Sequence, residues 1–251
     1  RRQRQMCIRD STDLASWRLA LAPYGLGLVV AFFAWRMLPA GRPDTTVSVK
    51  EQLAGIREVV RRPEVVVVLI GGTVSFIMIF GVFLSTLPIH LEDQFGFNAS
   101  VRGLFLAIPA ITSTLMAFNV QRIRTHIDPR PLLVGCSLLF AAGFALIGAS
   151  EIAGLVALGC FVYGAGEGAL FPTLQDLSVE LSPPEHRGAI VAIYVGAARL
   201  GQTIGPLGAA AVFGATSTFW ALNLGVGLAI GLALMFLFAP TSTRAAAGTA
   251  T

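Results

Sequence analysis

Seven apolar runs, at approximately 15–38, 64–88, 101–120, 131–149, 152–174, 188–213 and 217–239, occupy most of the 251-residue chain. Each is long enough to cross about 30 Å of hydrocarbon as a helix, which needs about 20 residues. A chain that repeats this pattern cannot cover itself with polar side chains. Apolar types make up 55% of it, glycine adds 27 residues, and charged residues are 13%, about half the share of a soluble domain. Lipid is therefore the expected solvent, and the composition argues against a water-soluble enzyme and against a nucleic-acid partner. The expected fold is an all-α membrane protein of about seven transmembrane helices. A complete twelve-span carrier does not fit this length.

The net charge of +4 would ordinarily suggest a polyanionic partner. Most of it lies in residues 1–11, RRQRQMCIRDS, with four arginines and one aspartate, which leaves +1 for the rest. This segment has no apolar period and reads as non-native or disordered sequence, so it is set aside. Elsewhere lysine and arginine are strongly partitioned. With the long connection 39–63 placed in the cytoplasm, eleven basic residues fall inside, among them Arg57, Arg61, Arg122, Arg124 and Arg187. Only Arg18 and Arg102 fall outside, and Arg199 stays within a span. Positive charge marks the cytoplasmic side, so the tail 241–251 is expected there too.

Within 39–63, Val49, Leu53, Ile56 and Val60 form one apolar helical stripe, and Ser48–Val49–Lys50–Glu51 matches a capping box, predicting an amphipathic helix. A second box, Ser182–Pro183–Pro184–Glu185, predicts the start of the sixth run. Asn98–Ala99–Ser100 fits a glycosylation acceptor but reads better as a polar helix start. Cys136 and Cys160 read as small core residues, and His90, His126 and His186 as solvated side chains without metal-ligand spacing. No cofactor or metal is implied. Gly164–Ala165–Gly166–Glu167–Gly168 lies inside an apolar span with no following lysine, unlike a phosphate loop.

The stretch 163–208 combines a glycine-rich helix ending in Phe171–Pro172–Thr173, the short loop Ser182 to Gly188, and the late pair Gly205–Pro206. Together these resemble the tenth and eleventh helices of the major facilitator superfamily, particularly its drug/proton antiporter branch. The basic loop from Asn119 to Arg130 is similar to the family's connection between helices eight and nine, with Asn119 where glycine is common. The resemblance covers residues 15–240. It implies helix six at 12–38, the cytoplasmic linker at 39–63 and a six-helix C-terminal half at 64–240, the N-terminal half being absent from this fragment. It further implies proton-coupled efflux of a small-molecule substrate across the bacterial inner membrane, not catalysis. The internal repeat of such halves predicts that Pro88 and Pro172 each end the first helix of a three-helix group.

Two ionisable residues stand inside spans. Glu167 and Arg199 lie roughly 12 and 16 Å from the cytoplasmic end, taking 1.5 Å per residue from the run boundaries. An intramembrane charge is costly and faces protein or water, so the pair is expected to bridge adjacent helices, or Glu167 to meet a watery cavity where it exchanges a proton. Gln202, Thr203 and Pro206 share the Arg199 face, and Tyr163, one turn before Glu167, is expected to share its cavity. Gly164, Gly168, Pro172, Gly201, Gly205 and Pro206 are candidates for close packing and gating, and Arg122, Arg124 and Arg187 for the cytoplasmic loops. Thr73, Phe76, Phe80 and Phe83 are weighed as aromatic substrate surface, with packing favoured. The competing class is a seven-span receptor or sensor. Its retinal form is excluded because Lys50, the only lysine, lies in the linker.

Overall fold

The computed structural model describes residues 22–37 and 49–239, and every regular element among them is helical. The chain divides into two units, Arg1–Val47 and Ser48–Thr251. The first contains helix α1, Ala22–Met37. Its 16 residues reach about 24 Å at 1.5 Å each, short of a full span; the rest of the first apolar run lies outside the described residues.

The second unit contains α2 (Val49–Val60) and six helices long and apolar enough to cross a membrane. These are α3 (Pro63–Phe95), α4 (Ala99–Arg124), α5 (Pro129–Ala149), α6 (Ala153–Glu180), α7 (Arg187–Ala215) and α8 (Thr218–Phe238). The expected all-α membrane architecture is present, with six full spans described.

Local signals set several helix ends, among them the expected polar start at Asn98. Pro63 and Pro129 open α3 and α5 from the first turn, where a missing N–H costs nothing. Asn98 caps α4, its Oδ1 accepting from the Val101 N–H at 3.0 Å. Gly96, at φ 66°, turns the chain out of α3 in the left-handed region that favours glycine. Arg102 then pairs with Glu92 and donates to the Pro88 carbonyl, tying the first turn of α4 to the end of α3.

Four expectations fail for identifiable reasons. Pro88 and Pro172 do not end helices: α3 runs on to Phe95 and α6 to Glu180. Each proline lacks a donor, but neighbouring hydroxyls and wider turns can absorb the irregularity in an apolar bundle. In α3 the turns between Ile77 and Thr86 widen to i→i+5 hydrogen bonding ahead of Pro88, and the Ser85 hydroxyl donates to the Phe80 carbonyl at 2.6 Å. The Ser182 box does not cap α7. The Ser182 hydroxyl donates backwards to the Ser178 carbonyl at 2.6 Å, finishing α6, and α7 begins at Arg187 after a turn. His90 is buried, not solvated, with Nδ1 3.1 Å from the Thr218 hydroxyl.

α5 packs between α6 and α8, α8 reaches the widened part of α3, α4 lies along α6, and α7 lies along α3. The core runs through the middle of this array, with Phe140, Phe144, Tyr163, Leu170, Leu174 and Phe236 fully enclosed. Cys136 and Cys160 are buried free thiols within it. α5 and α8 back one side of α6 and α3; the opposite side, flanked by α4 and α7, carries Glu167 and Arg199. At one end, Ile56, Val59 and Val60 of α2 pack on Val65 of α3 and Ile190 of α7. Val49 and Leu53, the start of the predicted stripe, and the Ser48 box have side chains outside the described residues.

Candidate functional site

Two grooves open on the face formed by α3, α4, α6 and α7. The first, about 270 Å³, lies between α4 and α6 and is lined by Ser113, Thr114, Ala117, Glu167, Phe171 and Pro172. It exists because α4 and α6 approach closely without side chains between them. A Cβ on Gly164 would strike Pro109 and Thr112, and one on Gly168 would strike the Ser113 backbone. Small residues allow such contact between membrane helices, and it brings the short hydroxyl side chains of α4 beside Glu167. Glu167 is half-buried and stands midway between Ala153 and Glu180.

The second groove, about 310 Å³, lies between α3, α6 and α7 and is lined by Phe76, Phe171, Gln175, Tyr194, Val195, Ala198 and Arg199. Its aromatic wall is built by Phe76, which meets Phe171 edge-to-face at 5.1 Å and stacks on Phe80 at 5.8 Å. α7 is held against α3 by a seam of small residues. Thr73 Oγ1 donates to the Ala197 carbonyl at 3.2 Å, a Cβ on Gly201 would strike the Thr73 carbonyl, and Gly205 lies directly on Ile77 and Gly81. The seam turns the other face of α7, with Arg199, Gln202 and Thr203, outward. Arg199 donates to Gln202 Oε1 at 2.7 Å, and the Thr203 hydroxyl donates to the Arg199 carbonyl at 3.0 Å. Pro206 lies inside α7 one turn further on.

Glu167 and Arg199 do not form the expected bridge. They are on helices that touch only sparingly, and Phe171 borders both grooves and separates them. Arg199 has no ion-pair partner among the described residues. Tyr163 does not share the cavity of Glu167 either. Its ring is fully enclosed, stacked on Phe83 at 4.4 Å and packed by Phe140 and Phe144, with its hydroxyl unpartnered. Phe83 is thus core, whereas Phe76 lines the groove and Phe80 stacks on it.

The basic loop residues gather at one end. Arg124 binds Asp176 at 2.5 Å and Glu180 at 2.8 Å, and Gln121 donates to Asp176 at 3.0 Å, so the last turns of α4 and α6 are clamped together. Arg187 Nε donates to the Ser182 carbonyl at 3.4 Å, and Arg122 is exposed. Among the described residues no cluster of histidine, cysteine or carboxylate side chains could hold a metal ion.

Sequence reasoning missed Gln175, Ser113, Thr114 and Tyr194. Gln175 had a usable signal, since Glu167, Phe171 and Gln175 recur at four-residue spacing on α6. The others depend on which helix lies alongside.

A family model for the Major Facilitator Superfamily matches residues 11–206 and 69–250. The chain belongs to the major facilitator superfamily. It is an integral membrane protein of a transporter family, and that membership, not the number of helices, sets aside the receptor alternative. The multidrug resistance protein MdtH of Aeromonas hydrophila is 29% identical over 136 residues, covering 53% of this chain and 34% of that protein. MdtH of Salmonella choleraesuis is 30% identical over 132 residues, covering 52% and 33%. The crystal structure of the human organic anion transporter MFSD10 superposes with a TM-score of 0.53 at 17% identity, over 91% of this chain and 48% of that one. This last likeness is one of fold. The chain spans about half of that transporter, and its matches cover about a third of the MdtH proteins.

Proposed function

We propose that this chain is the linker and second six-helix half, preceded by the last helix of the first half, of a secondary active transporter. The parent protein exports small, partly apolar molecules across the bacterial inner membrane against a proton gradient. The observation that carries this reading is the polar, grooved face of α3, α4, α6 and α7 in a chain of this family, bearing Glu167 and Arg199 near mid-helix. Each charge would cost about 2.5–3.5 kcal/mol at the bilayer centre on insertion scales. Such a face is stable against a water-filled cavity shared with a second helical body, and transport follows as the two bodies rock around it. The relatives' printed name, multidrug resistance protein, supports export of drug-like small molecules.

In this scheme Glu167 is the proton carrier, taking a proton on the outer side and releasing it inside, with Ser113 and Thr114 beside it to hydrogen-bond either form. Arg199, Gln202 and Thr203 line the substrate path. The Gly201–Gly205 seam keeps α7 and α3 moving as one piece, and the Arg124 clamp with Arg122 and Arg187 lies on the cytoplasmic side, where the C-terminus also emerges.

The test is proton-driven flux in the parent protein, expressed from its full reading frame and reconstituted in proteoliposomes with an imposed pH gradient. Glu167→Gln should abolish the gradient dependence while leaving counterflow of substrate. Unchanged pH dependence would reduce Glu167 to a structural residue. Gradient-driven uptake by the 251-residue chain alone would contradict the half-transporter reading.

A further inference from the structure

The groove beside Arg199 has the chemistry of a binding site for one charge class. The geometry points to an organic anion with an aromatic or flat apolar body as its ligand, the carboxylate on Arg199 and the body against Phe76 and Phe171. This deepens the transporter reading above and rests on it for the water-filled cavity.

Three observations carry the assignment. First, Arg199 is a cation with spare capacity. A guanidinium has five N–H donors, and the one hydrogen bond its side chain makes goes to neutral Gln202. Glu167 opens into the other groove beyond Phe171, and Arg199 forms no ion pair with any carboxylate of the described residues. Second, the remaining walls are neutral: Phe76 and Phe171 in edge-to-face contact, Gln175, and Tyr194, whose buried hydroxyl has no hydrogen-bond partner. A cation in an aromatic, acid-free recess selects against cationic ligands by repulsion and for anions through paired N–H···O bonds in the plane of the guanidinium. Third, the position excludes the commonest source of anions in a membrane. Arg199 is about 18 Å from the start of α7, taking 1.5 Å per residue, so a lipid headgroup at the bilayer surface does not reach it, whereas a solute in a central cavity does. At about 310 Å³ the groove is at the small end of ligand pockets, fit for one ring system and its carboxylate.

The test uses the parent protein, expressed from its full reading frame, in nanodiscs of zwitterionic lipid, and two probes of similar shape and opposite charge, 1-naphthoate and 1-naphthylmethylammonium. Binding is measured by equilibrium dialysis against empty nanodiscs, read from naphthalene fluorescence. Saturable binding should favour the anion by at least about tenfold, equivalent to about 1.4 kcal/mol. Arg199→Gln should erase the preference, Arg199→Lys should keep part of it, and Phe171→Ala should weaken both probes by similar factors. Gln175→Glu leaves Arg199 in place but supplies an internal partner at an exposed position, so it should also erase the preference even if Arg199→Gln disturbs folding by circular dichroism. Equal binding of the probes, no saturable binding of the anion, or an anion preference surviving both Arg199→Gln and Gln175→Glu would overturn the assignment. Because binding needs no gradient, failed flux with intact anion selectivity would count against the transporter reading alone. Flux of cations without anion selectivity would count against this inference alone.

Discussion

Replacing Gly205 with alanine puts the α3–α7 seam, and with it the position of the Arg199 groove, to a quantitative test. An added Cβ would lie 2.9 Å from the Ile77 carbonyl oxygen, 3.0 Å from the Gly81 nitrogen and 3.0 Å from the Ile77 Cα. Relaxed contacts between such atoms are about 3.5–4.0 Å, so α7 has to retreat by about half an ångström. The obstacles are backbone atoms, and no rotamer change can relieve them. Overpacking of this kind costs about 1–3 kcal/mol. For a domain of this size each kcal/mol moves Tm by about 2–4 °C, so Gly205→Ala should melt about 2–12 °C below Gly208→Ala, which shares the helix-propensity gain of alanine over glycine. Gly208 is the internal control. It lies three residues further along α7 with nothing within 4 Å of its Cβ position, and alanine there should be neutral or raise Tm by a few degrees, since glycine costs about 1 kcal/mol in a helix. Cys136 and Cys160 provide the readout, because buried thiols become reactive to a fluorogenic maleimide only as the bundle opens. Cys7, outside the described residues, is first replaced by serine. A Gly205→Ala midpoint within about 1 °C of that of Gly208→Ala would refute the close-contact argument.

Three further outcomes follow from the same packing. Tyr163→Phe removes a buried hydroxyl with no partner and should leave stability unchanged or raise it by about 1 kcal/mol; a clear loss of stability together with lost flux would return Tyr163 to the Glu167 site. Asn98→Ala should cost about 1 kcal/mol through loss of the α4 cap, Asn98→Asp should retain it, and equal midpoints for the two variants in thermal melts would show that the cap contributes nothing. Arg124→Ala should lower the thermal midpoint by an amount that shrinks at high salt, as expected for a partly exposed charge cluster with Asp176 and Glu180; a salt-independent loss would assign its role to packing.

Much of the site was legible residue by residue, and little of it pair by pair. Glu167 and Arg199 stand out in any reading because hydrocarbon penalises them, and both do lie on the grooved face. Their partners could not be read. Arg199 turns to Gln202 on its own helix, and Glu167 meets α4 because Gly164 and Gly168 let that helix in. The Ser182 box had the right residues in the right spacing, yet the preceding helix used the serine first. The stripe Thr73, Phe76, Phe80 and Phe83 follows a helical period, but the widened turns after Phe76 hold more residues than 3.6 and carry Phe83 round into the core against Tyr163.

What the amino-acid order determines alone is the solvent and therefore the class. Runs of about 20 apolar residues can satisfy their backbone in lipid only as helices or a closed barrel; the length of these runs selects helices, and the motifs around Phe171, Ser182 and Gly205 lead to the family. What the tertiary structure decides is which side of each helix meets protein and which meets lipid or a cavity. Lipid tails are as apolar as leucine, so hydrophobic periodicity carries little of that information. It is set by where glycine lets two backbones touch and where a widened turn shifts the phase of everything after it.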